Sequence, residues 1–281
     1  MSKEQAIRDE IARFVREGAA NRRKEDGGSY YEEPLVAFAS PDDLLFEEYK
    51  RIIGEFHMTP REVFEGTFGA GSLQKGTVVC WVLPIAKDTR MSNRKEDRFP
   101  SRLWAHTRDF GEKCNNELRK DVVSFIEGLG GRAVAPMLSP AFKILWDSPA
   151  GIASNWSERH ACYAAGLGTF SLSDGFITPR GIAHRVGTVV TDQVLTPDKR
   201  SYTDHRSNCL QFRGVECGVC IKRCPTGAIS ETGHDKKKCL QYVYQTALGA
   251  VRETYGVEIS GCGLCQTAVP CESVIPRQKE G

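Results

Sequence analysis

Residues 217–225 read CGVCIKRCP and residues 261–271 read GCGLCQTAVPC, and the cysteine spacing in these two runs decides how the C-terminal part of the chain folds. The first run is C-x2-C-x3-C-P, with Cys209 ahead of it across a longer loop; the second is C-x2-C-x5-C, with a lone Cys239 ahead of it. Eight of the 11 cysteines therefore fall between Cys209 and Cys271. Thiols crowded at such spacings, in a chain whose N-terminus is charged and lacks an apolar leader, point to metal rather than to disulfides. A C-x-x-C loop brings two thiolates to neighbouring corners of an iron–sulfur cubane, and in a paired pattern ending C-x3-C-P the fourth cysteine of each run serves the cluster of the other. That rule gives cluster 1 the ligands Cys209, Cys217, Cys220 and Cys271, and cluster 2 the ligands Cys224, Cys239, Cys262 and Cys265. Eight ligand positions are filled with none left over.

Structural zinc is the competing reading. Cys217/Cys220 and Cys262/Cys265 could form one four-thiolate site, but Cys209, Cys224, Cys239, Cys271 and the C-x3-C-P ending would then have no purpose. Cys80, Cys114 and Cys162 have no partner spacing; Cys80 lies in an apolar run and reads as a small core residue.

Outward from the cysteines, the composition is that of an ordinary globular protein, with 40% hydrophobic and 26% charged residues among 281. A net charge of +2 singles out neither nucleic acid, a membrane surface nor an acidic partner. No apolar stretch is long enough to span a bilayer, so the expected location is cytoplasmic, with no membrane partner. Apolar spacing predicts helices over 3–18, 41–56, 111–129 and 155–170, a capping box at Thr59–Glu62, and strands at 77–83, 132–137 and 184–191. Residues 87–102 read as a loop, and 235–254 as a helix beside the cysteines. The strand–helix–strand order favours an α/β layer. A change of character near 195–205 divides the chain into an α/β cofactor and substrate domain over 1–200 and a two-cluster, bacterial ferredoxin-like [4Fe–4S] domain over 201–281. No G-x-G-x-x-G follows a strand and no GKS/T loop is present. Some 200 residues therefore precede the clusters without a nucleotide-binding signature.

One ordered set of motifs narrows this further. Glu158-x7-Gly166-Leu167-Gly168 is followed by Ile177-Thr178-Pro179-Arg180-Gly181, then Gly187–Thr191, the C-x2-C-x3-C-P-T-G-A-I run, Cys239, and Gly261-Cys262-x2-Cys265-Gln266. In this order the chain resembles epoxyqueuosine reductases and the catalytic part of corrinoid reductive dehalogenases. The resemblance implies a nitroreductase-like α+β domain that holds cobalamin and receives electrons through two [4Fe–4S] clusters. It implies reductive chemistry on a small or nucleoside-like substrate, and a low-potential donor such as a ferredoxin or flavodoxin. Glu158, Gly166, Gly168, Thr178, Arg180, His184 and Arg185 become candidates for cofactor binding, with Arg159 beside them.

The sequence also departs from the family. The aspartate those reductases place six residues before the glutamate is Ile152 here, so His160 or Tyr163 would deliver the proton, with Asn155 orienting the substrate. Gly168-Thr169-Phe170-Ser171-Leu172 replaces Gly-Trp-x-Gly-Lys, and Pro270 precedes Cys271 instead of following it. The chain ends soon after the clusters, and tRNA is a doubtful substrate on this reading. An alternative is an electron-transfer or cofactor-activating iron–sulfur protein without substrate chemistry of its own.

Overall fold

The computed structural model describes residues 1–277. In chain order the helices are α1 (Lys3–Glu17), α2 (Leu45–Ile53), α3 (Pro60–Phe68), α4 (Lys87–Asn93), α5 (Arg102–Gly128), α6 (Glu158–Ala164), α7 (Val219–Lys222), α8 (Lys236–Gln241) and α9 (Leu248–Tyr255). The strands are β1 (Leu35–Ala39), β2 (Thr77–Pro84), β3 (Ala133–Val134), β4 (Ile144–Ser148), β5 (Gly151–Ser154), β6 (Thr169–Phe170), β7 (Phe176–Ile177), β8 (His184–Thr191), β9 (Ile229–Ser230) and β10 (Gly233–His234).

The run TVVCWVLP is apolar at nearly every position, which suits a strand covered on both faces, and all eight residues of β2 are buried. Alternate side chains serve two cores. Val78, Cys80 and Val82 pack with Phe46, Phe64 and Trp156 from the α2, α3 and α6 side. Val79, Trp81 and Leu83 pack with Ile7, Ile11, Leu118 and Val122 from α1 and α5. Gly187 sits in β8 directly against this wall: a Cβ there would lie 2.2 Å from the Trp81 indole.

The expected mixture of helices and strands is present, but the four-stranded sheet has the order β1-β2-β8-β3 with every neighbouring pair antiparallel. β2 and β3 run in the same direction, as a strand–helix–strand unit should, yet β8 inserts between them from some fifty residues downstream.

Local signals fare unevenly. The Thr59 capping box forms in full, with Glu62 N–H on the Thr59 hydroxyl at 3.2 Å and Thr59 N–H on the Glu62 carboxylate at 2.8 Å. The stretch expected as a loop over 87–102 contains α4, whose buried Thr89, Arg90 and Asn93 are polar and so carry no apolar period. The helix expected over 155–170 shrinks to α6, ended by positive-φ Gly166. β1 and the β4–β5 hairpin were not anticipated. The predicted helix beside the cysteines runs from α8 to α9 through a π-helical stretch, Tyr242–Ala247.

The chain beyond residue 200 is fastened to the sheet layer by backbone and buried charge. Ile182 N–H donates to the Cys271 carbonyl at 2.8 Å, and the Asn93 amide donates to the Cys262 carbonyl at 3.2 Å. The buried Glu272 carboxylate is held by two 2.8 Å bonds from Arg94. Gly181 (φ +80) lies where a Cβ would come within 2.3 Å of the Glu272 carbonyl oxygen. Among the described residues no helix is long and apolar enough to cross a membrane.

Candidate functional site

The eight cysteines between 209 and 271 separate into two groups in space. Cys209, Cys217, Cys220 and Cys271 line one cavity floored by Leu172 and Ile177, and Cys265 reaches its wall. Burial pushes the Cys220 thiol up to about 11, with Cys209 and Cys217 adding their charge, and pushes Cys271 up to about 12, with Cys220, Cys209 and Cys217 adding theirs. Cys224, Cys239, Cys262 and Cys265 form the second group. Burial drives Cys239 up to about 12, helped by Cys262 and Cys224. It drives Cys262 up as well, and Cys265 well above the ordinary thiol range. Cys224 goes the other way: burial opposes it, but the Thr226 hydroxyl and the N–H groups of Thr226, Ile229 and Ala228 outweigh that and hold the thiol low. Among the described residues no three His, Cys, Asp or Glu side chains converge on one metal ion.

Each C-x-x-C loop owes its turn to a glycine in the left-handed region, Gly218 (φ +59) and Gly263 (φ +61). Gly263 also lies against the Trp104 indole, where a Cβ would fall 1.9 Å from the ring. The residue after Cys265, Gln266, lines two further cavities. The larger, about 470 Å³, lies between α6, β8 and the β4–β5 hairpin, with Phe142, Ile152 and Phe176 as apolar walls and Arg159 and Arg185 as polar ones. Ile152 lines a second hollow on the other side of the hairpin, beside Lys236 and His234.

Charge around the cavity is organised on α5. Arg119, fully buried, grips Glu158 with bonds of 2.6 and 3.0 Å and donates to Glu112 at 3.0 Å. Glu112 also accepts from Arg185 at 2.7 Å. Burial alone would raise Glu112, but Arg185, Arg119 and Arg108 together hold it at about 2. Glu158 is pushed up by burial despite Arg119, and it accepts the Thr188 N–H at 3.0 Å.

Of the residues singled out in the sequence, Glu158, Arg159, His184 and Arg185 line the cavity, as does Ile152. The structure does not bring the others there. His160 is turned into an aromatic nest against Tyr49 and Phe170, with Nδ1 on the Ser157 hydroxyl at 2.7 Å, and burial lowers its pKa to about 3. Tyr163 packs on Phe170 and under Arg200. Asn155 ties the Lys143 N–H to the Ala141 carbonyl, both at 2.8 Å, and so fixes the base of the hairpin. Gly166 and Gly168 do allow close backbone approach, but to the chain itself: a Cβ would meet Arg200 Cα at 3.0 Å and the Ile177 carbonyl oxygen at 2.3 Å. Thr178 closes the 178–181 turn, and Arg180 pairs with Glu32 at 2.7 Å.

Sequence reading missed Arg108 and Thr107. A signal existed: Trp104, Arg108, Glu112, Asn115 and Arg119 repeat at helical spacing, a polar stripe beside the apolar one of Leu118, Val122 and Ile126.

No family model matches the chain. A stretch of 120 residues is 34% identical to the epoxyqueuosine reductase of Bacillus cereus, covering 41% of this chain and 29% of that one. Another of 182 residues is 28% identical to the epoxyqueuosine reductase of Francisella cf. novicida, covering 62% and 44%. The chain thus spans less than half the length of these curated relatives. Among solved structures, an epoxyqueuosine reductase from Bacillus subtilis with its catalytic loop swung out of the active site has a TM-score of 0.51 at 18% identity, over 85% of this chain and 61% of that one. An epoxyqueuosine reductase with a tRNA-Tyr epoxyqueuosine-modified stem loop has a TM-score of 0.53 at 17% identity, over 96% and 66%. The resemblance to epoxyqueuosine reductases is borne out, and these two structures share the fold of this chain. The tRNA-bound structure overturns the expectation that sets tRNA aside.

Proposed function

We propose that this chain is an iron–sulfur reductase in which two [4Fe–4S] clusters, held by residues after about 200, deliver electrons to a cofactor and substrate cavity built on residues before it. The observation that carries the reading is the arrangement of the cysteines. Cys209, Cys217, Cys220 and Cys271 line one cavity, Cys224, Cys239, Cys262 and Cys265 lie near enough to raise one another's pKa, each group takes one member from the other's run, and Gln266 stands on the cavity wall next to Cys265. Cluster 1 is assigned Cys209, Cys217, Cys220 and Cys271, and cluster 2 is assigned Cys224, Cys239, Cys262 and Cys265, which places cluster 2 beside the cavity. Zinc fits less well, because one four-thiolate site at Cys217, Cys220, Cys262 and Cys265 leaves Cys209, Cys224, Cys239 and Cys271 without a role.

The cavity lining suits a corrinoid: apolar walls at Phe142, Ile152 and Phe176 face a broad ring, and Arg159, Arg185 and Gln266 offer donors to a carboxamide rim. When bound, such a group supplies the low-valent metal that performs the reduction. The chain's own residues contribute the walls that keep water out and the guanidiniums that orient the ligand. The relatedness to epoxyqueuosine reductases makes a tRNA-borne nucleoside the first substrate to try.

The test is anaerobic reconstitution followed by titration with cobalamin. About eight irons and eight sulfides per chain, a base-off cobalamin spectrum on binding, and turnover of an epoxyqueuosine-containing tRNA stem loop are expected. Stoichiometric zinc with little iron removes the cluster assignment. Full iron loading without cobalamin binding leaves an electron carrier without substrate chemistry.

A further inference from the structure

Beside the large cavity, and sharing Arg108, His184, Arg185 and Gln266 with it, is a smaller one of about 110 Å³. That is room for a group of a few heavy atoms, since a water claims about 30 Å³ in the liquid. Three polar atoms on its lining residues have no hydrogen-bond partner: Thr107 Oγ1, Arg108 Nη1 and His184 Nδ1. Thr107 is 1% exposed and His184 8%. Buried polar groups are ordinarily satisfied, so three orphans on the residues around one small cavity, each closed off from it in this conformation, mark a place where a polar occupant is met by a small turn of these side chains.

The charge says which kind. Arg108, Arg159 and Arg185 line the two cavities against one carboxylate, Glu158, which Arg119 already holds. Glu112 is shared: it bonds Arg119 and Arg185 and lies 3.6 Å from Arg108, too far to satisfy that guanidinium. Arg108 is held below its ordinary pKa, first by the charge of Arg185 and then by burial, so an anion between the two would relieve a repulsion that the fold leaves standing.

His184 refines the answer. Its Nε2 lies 2.6 Å from the Phe176 carbonyl oxygen, which can only accept, so Nε2 carries the hydrogen and Nδ1 of the neutral ring is an acceptor. The orphan set thus offers a charged donor, a hydroxyl and one acceptor. We propose that this cavity binds a phosphate group bearing an ionisable hydroxyl, as free phosphate or as the monoester of a small ligand, with Arg108 donating to its oxygens and His184 Nδ1 accepting its hydrogen. The inference rests on the side chains alone and requires neither the clusters nor a corrinoid.

The full chain, reconstituted anaerobically with iron and sulfide, is titrated calorimetrically with inorganic phosphate, methyl phosphate and sulfate. Saturable binding of one phosphate is expected. Methyl phosphate binding as well as phosphate identifies an ester ligand, and binding of inorganic phosphate alone identifies the free ion; either supports the site. At pH 6, near the second ionisation of phosphate monoesters, sulfate carries no hydrogen and should bind more weakly. Arg108→Gln should weaken phosphate roughly ten- to hundredfold, the size of a lost charged hydrogen bond. Arg108→Lys should recover part of that loss, and Thr107→Val should weaken binding a few-fold. No saturable phosphate binding by folded wild-type protein overturns the proposal. So does unchanged affinity in both Arg108→Gln and Thr107→Val, or sulfate binding as tightly as phosphate. Iron and sulfide measured on the same samples report separately on the cluster assignment.

Discussion

Around β2 the molecule buries large apolar side chains on both sides of a sheet: Trp81, Phe38, Phe46, Phe64 and Trp156 are all enclosed. The cysteine loops have little of this. Their buried cluster has six members, and three of them, Leu172, Ile177 and Ile182, come from before residue 200. The first region can be held by apolar burial, at about 25 cal/mol per Å². The second holds half-buried thiols among backbone and the buried carboxylate of Glu272, and the thiols Cys220, Cys239, Cys262, Cys265 and Cys271 are all pushed towards their neutral form. On the proposed cluster assignment, metal ligation supplies such loops with a cross-link from within, together with its binding energy. The two regions thus differ in what can hold them: an apolar core for the first, and for the second the clusters proposed above.

The most severe way to break that contrast is to strip the iron from reconstituted protein with a chelator and follow amide hydrogen exchange. Protection should collapse across 209–271 and persist in β1, β2 and β8. Loss of both together would mean a single cooperative unit, joined through the Ile182–Cys271 and Asn93–Cys262 bonds.

A smaller effect sharpens the sheet side. Arg119→Met leaves Glu158 buried without its partner, and should cost about 3–5 kcal/mol in chemical denaturation. Iron content per folded chain should stay at the wild-type value. Combining it with Glu158→Leu should recover part of the loss, whereas strictly additive costs would show that the two residues do not act as a pair.

Acid should find the sheet side next. Burial, then Lys50, lowers His57 to about 4, and burial, then Arg159, lowers His160 to about 3. Both ring nitrogens of His57 are without partners. Between these values and the unfolded pKa of about 6.5 the unfolded chain binds more protons, so stability is full above pH 6.5 and falls as the pH drops towards 4. His57→Phe should flatten that slope in thermal melts taken between pH 7 and 4. An unchanged slope would place the acid lability elsewhere.

The smallest effect has the opposite sign. Burial, then Glu10, raises Asp121 to about 6, so its protonated form favours the fold, and stability contributed at low pH is lost as the pH rises from about 4 to 6. Burial lowers His184 to about 4 as well, and Asp121 is partly exposed and screened, so the three buried histidines should dominate the overall profile. Asp121→Asn should raise the melting temperature slightly at pH 7 and leave it almost unchanged at pH 4; a fall at pH 7 would contradict the repulsion with Glu10.

Some of this could be read from residues and some could not, for reasons visible at single positions. Thr59-Pro60-Arg61-Glu62 specifies its own helix start because both capping bonds close within four residues. The β2 run specifies a doubly covered strand because no polar side chain in it needs water. α4 escaped because its buried residues are polar and find partners far away, as Asn93 does at Cys262. Gly166 and Gly168 do mark close approaches, but a glycine announces only that something comes near, and here the something is Arg200 and Ile177 rather than a cofactor. His160 and Tyr163 would stand in for the aspartate missing at Ile152, yet a helix turns about 100° per residue, and their face of α6 meets Tyr49, Phe170 and Arg200 while Glu158 and Arg159 meet the cavity.

By itself the sequence determined what is local: the thiol spacings, the caps, the strand about which the core is built, and the motif order that relates the chain to epoxyqueuosine reductases. The tertiary structure alone decided what is assembled from distant parts. It placed β8 between β2 and β3, which removes every parallel neighbour from the sheet. It set Thr107 and Arg108 of α5 beside His184 of β8 and Gln266 of a cysteine loop, about 160 residues from end to end. Spacing along a chain fixes geometry only over the few residues whose backbone bonds close on one another. Beyond that range, position is set by how whole elements pack.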